Sequence, residues 1–388
     1  MEEVDKMSHR LKTCGAAAVL LLLLTLLSSC GQPTVPDETA TDYNQYIPSH
    51  GVTAYTKDLY IFFDSGRLFY VGRSQPSQLF PLCFQADCDH KNSSCTAWLN
   101  TPSRSIYAAG DNLYYIDADK DANPALYRMD LSGGGRELVK SLNILNEESW
   151  PGISSLGYSF RVYGSYLAIE LNLLNEDSWQ HKIYLTGIDG KDEGIFLFGE
   201  EDDSDKSYIA IEFRENWLFV TEKSAADGTN TLWGYNFSTQ EAVPLVEDWD
   251  ISNCFTVQDG ILYWAVTGDG VYSMDMEKKS VTKHRFDPVS EYGAAAYDDQ
   301  YLYLTNAIRY MDSQGTVPAE ERGVKVYDLQ GNLQQFIPVP QESGNALLLL
   351  FTPGYVFFCD DRNGSYCPTL YLEKAAVSSG TAQILPVG

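Results

Sequence analysis

The feature that most constrains this chain is a recurring strand signature. A leucine and an aromatic residue side by side, or a close equivalent, begin a short apolar run at Leu59-Tyr60, Leu113-Tyr114, Tyr166-Leu167, Trp217-Leu218, Leu262-Tyr263, Leu302-Tyr303 and Tyr355-Val356. The spacing is roughly forty to fifty-five residues, the length of one four-stranded unit in a radial β array. The clearest copy reads Gly110-Asp111-Asn112-Leu113-Tyr114-Tyr115-Ile116, then Leu126-Tyr127-Arg128-Met129-Asp130-Leu131-Ser132-Gly133, then Glu137-Leu138-Val139. That is turn, strand, loop, strand, turn, strand, and little of the chain beyond residue 50 has helical periodicity. A lone four-stranded sheet cannot bury both faces, whereas sheets stacked around an axis bury each other and shield most strand edges. We therefore expect an all-β fold over residues 51–388: a β-propeller of seven four-stranded blades, with Leu113, Tyr115, Leu218, Leu262, Leu302 and Val356 facing the sheet interfaces. Six or eight blades, a pair of sandwiches or a solenoid are the alternatives.

The first fifty residues follow a different logic. Arg10 and Lys12 precede an apolar stretch over 16–27, too short to span a bilayer and suited to an export signal. It ends in Leu27-Ser28-Ser29-Cys30-Gly31, which resembles the lipobox of bacterial lipoproteins. The resemblance implies a signal peptide over 1–29, diacylation of Cys30, and an extracytoplasmic protein held to the membrane by lipid alone. Residues 31–50 carry two prolines and few aliphatics and read as a flexible tether. Three acids and three bases lie before Cys30, so the net charge of −26 belongs to the mature chain. Such a surface repels nucleic acid and anionic headgroups, and favours cations or basic partners.

Further residues narrow the resemblance. The run from Ala125 to Gly134 (ALYRMDLSGG) and Gly260-Ile261-Leu262-Tyr263-Trp264 resemble blades of YWTD-type and Tol B-like propellers. Together with the cysteine-rich segment after the first unit, they are similar to uncharacterised propeller lipoproteins of clostridia-like bacteria. The resemblance implies fold and location and supplies no catalytic residues. Ala265-Val266 replace the end of the YWTD tetrad, so receptor-like ligand binding does not carry over.

The sharpest chemical constellation is Cys83, Cys88, His90 and Cys95, in an insert at 82–98. Three thiolates and an imidazole within thirteen residues can close a tetrahedral shell around zinc. In an oxidising compartment a disulfide between two of the cysteines is the competing arrangement. Cys359 and Cys367 flank an Asn363-Gly364 hairpin centre, which sets up a cross-strand disulfide. Asp117, Asp119, Asp121 and Asn123 alternate oxygens as a calcium loop does, without its glycine and closing glutamate; a solvated hairpin tip is the alternative. His50, His181 and His284 stand apart from other ligating residues and read as surface or turn positions. No phosphate loop, serine-hydrolase elbow or HExxH is present.

In a propeller, loops between second and third strands emerge at the same end as the links between blades. On that assignment the tight turns, such as Asp259-Gly260, share one end. The long inserts share the other: 82–98, the Asp117 loop, 146–151, 175–181, the acidic run at Glu200 and 306–322. Two of them repeat each other, LNILNEESW ending at Trp150 and LNLLNEDSW ending at Trp179. Trp150, Trp179, Asn146 and Asn175 are thus candidate ligand contacts, since function concentrates in such loops and indoles anchor ligands. The alternative is that both tryptophans cover a local hydrophobic edge. The expected role is a binding or scaffold module for a protein, peptide or glycan. The alternatives are a polysaccharide hydrolase or lyase working through two acids, and a metal-dependent sensor at the Cys/His insert. The anchor is tested directly: globomycin, or Cys30→Ser, should leave an unprocessed or soluble protein, and unchanged mass and membrane association would refute it.

Overall fold

The computed structural model describes residues 53–388 except 57, 93, 100–104, 110, 176–177, 189–193, 200–204, 227, 250–253, 267–268, 285–293, 306–321, 341–347 and 360–366. Cys30, the tether, the Glu200 run, almost all of 306–322 and the Asn363-Gly364 tip lie outside the described residues. Twenty-eight strands form seven four-stranded antiparallel sheets, each from four strands consecutive in sequence. These blades cover residues 53–81, 107–141, 155–198, 206–246, 254–284, 294–338 and 348–386. Among the described residues no strand is shared between blades.

All seven Leu/aromatic signatures fall at the start of a second strand: Leu59–Asp64, Asn112–Ala118, Tyr166–Asn175, Trp217–Ser224, Ile261–Val266, Tyr301–Thr305 and Tyr355–Cys359. These strands are apolar at successive positions because both their faces are buried. In blade 2, Leu113 and Tyr115 pack toward blade 1, while Tyr114 and Ile116 pack toward blade 3. In blade 7, Val356 and Phe358 turn to blade 6, and Phe357 and Cys359 to blade 1. The result is seven apolar clusters, one in each interface between neighbouring sheets. Leu113, Tyr115, Leu218, Leu262, Leu302 and Val356 all lie in these clusters, as expected.

The ring therefore closes by packing between the first and last blades. Phe62 meets Phe357 edge-on at 5.1 Å, and Tyr60 meets Phe357 and Tyr355 at 5.7 Å each. At the rim the Gly388 N–H donates to Ser77 O at 2.7 Å. Each blade begins at an inner strand, and the first strands of blades 1 to 4 neighbour one another in turn. Several are short and combine small residues with one tyrosine, such as Thr53–Tyr55, Tyr107–Ala109 and Ala294–Tyr297. Because strands alternate in direction, the second-to-third-strand loops and the interblade links emerge together.

Truncating a fully buried aromatic costs about 3–5 kcal/mol. Phe357→Ala should lose about that much in denaturant unfolding, whereas Leu333→Ala, exposed on an outer strand, should stay within about 0.5 kcal/mol. Equal effects would mean that the first and last blades are not held by this cluster.

Candidate functional site

The two LNxLNExSW segments fold differently. The first forms two single 3₁₀ turns, Asn143–Leu145 and Glu147–Ser149, in the link entering blade 3. The second is no insert: it is the end of a hairpin between Tyr166–Asn175 and Ser178–Gly187, paired in register from Tyr166 with Gly187 to Asn175 with Ser178. That corrects the expected long loop over 175–181 and puts Trp179 inside a strand. Strand pairing on both sides overrides the local preference that the first copy expresses. Ser154 N–H donates to Leu174 O, so the 3₁₀ link and the hairpin meet at one end of blade 3.

Their tryptophans have different surroundings. Trp150 is half-buried against the cluster between blades 2 and 3, edge-on to Phe196 at 6.1 Å, and its indole N–H donates to Ile144 O at 2.8 Å. It fastens the link. Trp179 is 53% exposed and lies 6.4 Å from the His181 ring. Alternation puts Trp179 and His181 on the same side of their strand as Ile183 and Leu185, which pack toward blade 4. Across the hairpin Trp179 pairs with Leu174 and His181 with Asn172. At this end of the blade 3–4 interface apolar packing gives way to polar groups. Ser159 donates to the Glu170 carboxylate at 3.1 Å, and Asn172 Oδ1 and His181 Nδ1 are buried without a hydrogen-bond partner among the described residues. Burial, aided by the Lys223 charge, holds His181 below the usual imidazole range.

Sequence reading set His181 aside and did not single out Asn172. The available signal was the period-2 alternation of Glu170 and Asn172 with Ile169, Leu171 and Leu173. The two asparagines named from the repeat have other positions. Asn146 Oδ1 accepts from the Glu148 N–H, and its amide donates to Asn123 Oδ1 at 3.1 Å. Asn175 ends its strand, and its side chain lies outside the described residues.

Deeper inside, Arg161 of blade 3 donates to Tyr107 Oη at 2.8 Å, and Arg214 of blade 4 donates to the Glu212 carboxylate at 2.6 Å. Burial raises the Glu212 carboxyl, against the pull of Arg214 and Arg161.

The Cys/His insert is a second, separate constellation. The metal-ligating atoms of Cys83, Cys88, His90 and Cys95 all lie within 4.8 Å of one another, the only such group of His, Cys, Asp or Glu among the described residues. His90 Nδ1 is 3.4 Å from Cys95 Sγ, and Cys83, Cys88 and Cys95 are thiols, with no disulfide among them. Burial opposes ionisation of Cys83, but hydrogen bonds from the Thr96 side chain and the backbone at Gln85 and Thr96 bring it down to about 6. Burial pushes Cys95 up to about 11 despite a backbone hydrogen bond from Ala97, with Cys83 and Cys88 adding to the rise.

The remaining candidates sit as follows. Asp119 Oδ1 accepts from the Asp121 and Asn123 N–H groups, both at 2.9 Å, and Asp117 Oδ1 from Ala118, so two of these carboxylates close their own loop. Cys359 is buried at a strand end where a bulge pairs it with Pro368, one residue past Cys367. Cys254 is raised to about 12 by burial, which makes it a poor nucleophile.

No family model matches this chain, and no curated protein sequence is similar to it. Solved structures share its fold. A prolyl endopeptidase superposes with a TM-score of 0.53 at 12% identity, covering 90% of this chain and 52% of that one. The β-propeller domain of the trilobed protease from Pyrococcus furiosus gives 0.44 at 13% identity over 73% and 83% of the two chains. TolB from Acinetobacter baumannii gives 0.36 at 13% identity over 71% and 61%. This chain spans about half the length of that endopeptidase, and at such identity the likeness concerns fold alone. The class is defined by the chain's own seven four-stranded sheets: it is a seven-bladed β-propeller.

The two tryptophans should separate in a stability experiment. Trp150→Ala removes a half-buried indole and should cost about 2 kcal/mol or more, while Trp179→Ala should change stability by less than about 0.5 kcal/mol. Comparable losses would mean that Trp179, too, is packing.

Proposed function

We propose that this protein is a lipid-anchored, extracytoplasmic binding module that holds a glycan, peptide or protein ligand at the long-loop end, over the blade 3–4 interface. The observation that carries the reading is Trp179: an exposed indole on a rigid hairpin, beside a buried amide oxygen and imidazole nitrogen that lack protein partners. An exposed aromatic on a regular strand costs nothing to order and offers a flat apolar face. Buried acceptors without partners are unfavourable until a donor reaches them. A sugar suits both, with its C–H face on the indole and its hydroxyls as donors, so glycans are the ligand class favoured here. The acidic surface speaks against nucleic acid as a partner.

A polysaccharide hydrolase or lyase would draw on Glu170 and Glu212, and both carboxylates accept hydrogen bonds from protein donors, Ser159 and Arg214. Zinc at the Cys/His insert is the one cofactor we attach to this protein, in a holding role.

A glycan array and a peptide array, probed with the intact protein, test the reading. Losing a central aromatic anchor typically costs about 2 kcal/mol, roughly thirtyfold in affinity. Trp179→Ala should lose that much on whichever probe binds, with folding intact, and His181→Ala should weaken binding as well. A ligand that maps to the tight-turn end, or binding indifferent to Trp179, would overturn the proposal.

A further inference from the structure

We propose that Cys83, Cys88, His90 and Cys95 bind one zinc ion in a closed four-ligand shell, and that this ion fastens the insert across the interface between blades 1 and 2. The proposal stands independently of ligand binding at blade 3.

The arrangement fits the metal closely. Zinc holds thiolates at about 2.3 Å and imidazole nitrogen at about 2.0–2.1 Å in tetrahedral geometry, which puts sulfur and nitrogen about 3.5 Å apart. His90 Nδ1 and Cys95 Sγ are 3.4 Å apart. With all four donor atoms inside 4.8 Å, a small contraction completes the shell. A disulfide would account for two sulfurs and leave the third sulfur and the imidazole converging without cause.

The backbone points the same way. Cys83 is hydrogen-bonded by the backbone at Gln85, and Cys95 by the backbone at Ala97, each two residues further on. Such outer contacts orient ligands in metal sites. His90 and Asp87 hold left-handed backbone, with φ of 56° and 62°.

Among the described residues the insert has no regular secondary structure through the quartet, yet both its ends are built into the fold. Leu82 and Leu99 are buried in the cluster between blades 1 and 2. Leu68 N–H donates to Ala97 O, and Leu99 N–H to Gly66 O, tying the insert to blade 1. From blade 2, Arg136 donates to Thr96 O and Trp98 O, both at 2.6 Å. A Cβ at Gly133 would stand 2.9 Å from Leu82 O, so that turn of blade 2 also packs on the insert. An irregular segment anchored at both ends gains most from one internal crosslink, which removes the entropy of its alternatives.

Softness selects the ion. Three thiolates and an imidazole suit zinc and exclude calcium and magnesium, and four protein ligands leave no open position for catalysis. On binding, any thiol still protonated gives up its proton and zinc takes the sulfur lone pair. The metal would also shield the sulfurs from oxidation outside the cytoplasm.

The full-length protein, purified without chelator, should contain about one zinc per chain by elemental analysis. Replacing zinc with cobalt should give the visible bands of a tetrahedral thiolate site. Cys88→Ser and His90→Ala should lose most of the metal, whereas Cys254→Ala should keep it. Because a ligand variant can fail to fold, the wild-type protein is also treated with chelator under reducing conditions. Hydrogen exchange over 82–99 should then accelerate while blades 3 to 6 stay protected. Three outcomes would overturn the proposal: no stoichiometric metal with a cysteine pair protected from alkylation, no metal with all three cysteines freely alkylated, or metal retained at wild-type level in Cys88→Ser.

Discussion

Everything in this protein depends on apolar packing between sheets that do not share strands. A four-stranded antiparallel sheet satisfies its own backbone hydrogen bonds but leaves two faces to cover, and here each face is covered by the next sheet. That requirement makes every second strand apolar at consecutive positions, and it explains why seven separate clusters replace one central core. It also sets the weak point. Six interfaces join blades linked directly by the chain, while the seventh brings together residues nearly three hundred positions apart, as in the pairing of Tyr60 with Tyr355. The aromatic weight of that cluster, with Tyr60, Phe62 and Phe357 fully buried, matches the entropy that its closure must overcome.

Two places depart from that constraint. Blade 3 keeps Leu167, Ile169 and Leu171 toward blade 2, but its other face carries Glu170, Asn172 and His181. The packing lost there is not needed for the ring, since Ala168, Ile183 and Leu185 still meet blade 4 further along. A polar row at the edge of an apolar interface, roofed by an exposed indole, is a costly arrangement for a purely structural sheet. The Cys/His insert departs in another way. It adds a segment without regular strand among its described residues across one interface, and it brings three thiols and an imidazole together there.

Much of the fold was legible in the chain itself. The second strands carry a signal that burial on both faces makes unmistakable, whereas loop length misled in blade 3, where Asn175 and Ser178 close a tight hairpin at the end expected to carry only long inserts. The inner strands were harder, because Thr53–Tyr55 and Tyr107–Ala109 are three residues each and the crowded centre favours small side chains over the aromatic pattern. The repeated LNxLNExSW segments misled for a related reason. Nine nearly identical residues form 3₁₀ turns in one place and a paired strand in another, because neighbouring strands are available to the second and not to the first. His181 read as isolated since its partner row lies across the hairpin, a relation that register creates and sequence distance hides. For the Cys/His quartet residue type was enough to suggest a ligand set, but only the folded loop brings the four donor atoms together.

Native-state hydrogen exchange in rising denaturant tests the central claim, that seven unshared sheets form one ring closed by side chains. If it holds, amides of Leu59–Asp64 and Tyr355–Cys359 should exchange only through the same large opening as those of Tyr166–Asn175 and Trp217–Ser224. If the first and last blades instead open together at much lower free energy while the middle blades stay protected, packing between blades 1 and 7 does not close the ring, and the account is wrong at its foundation.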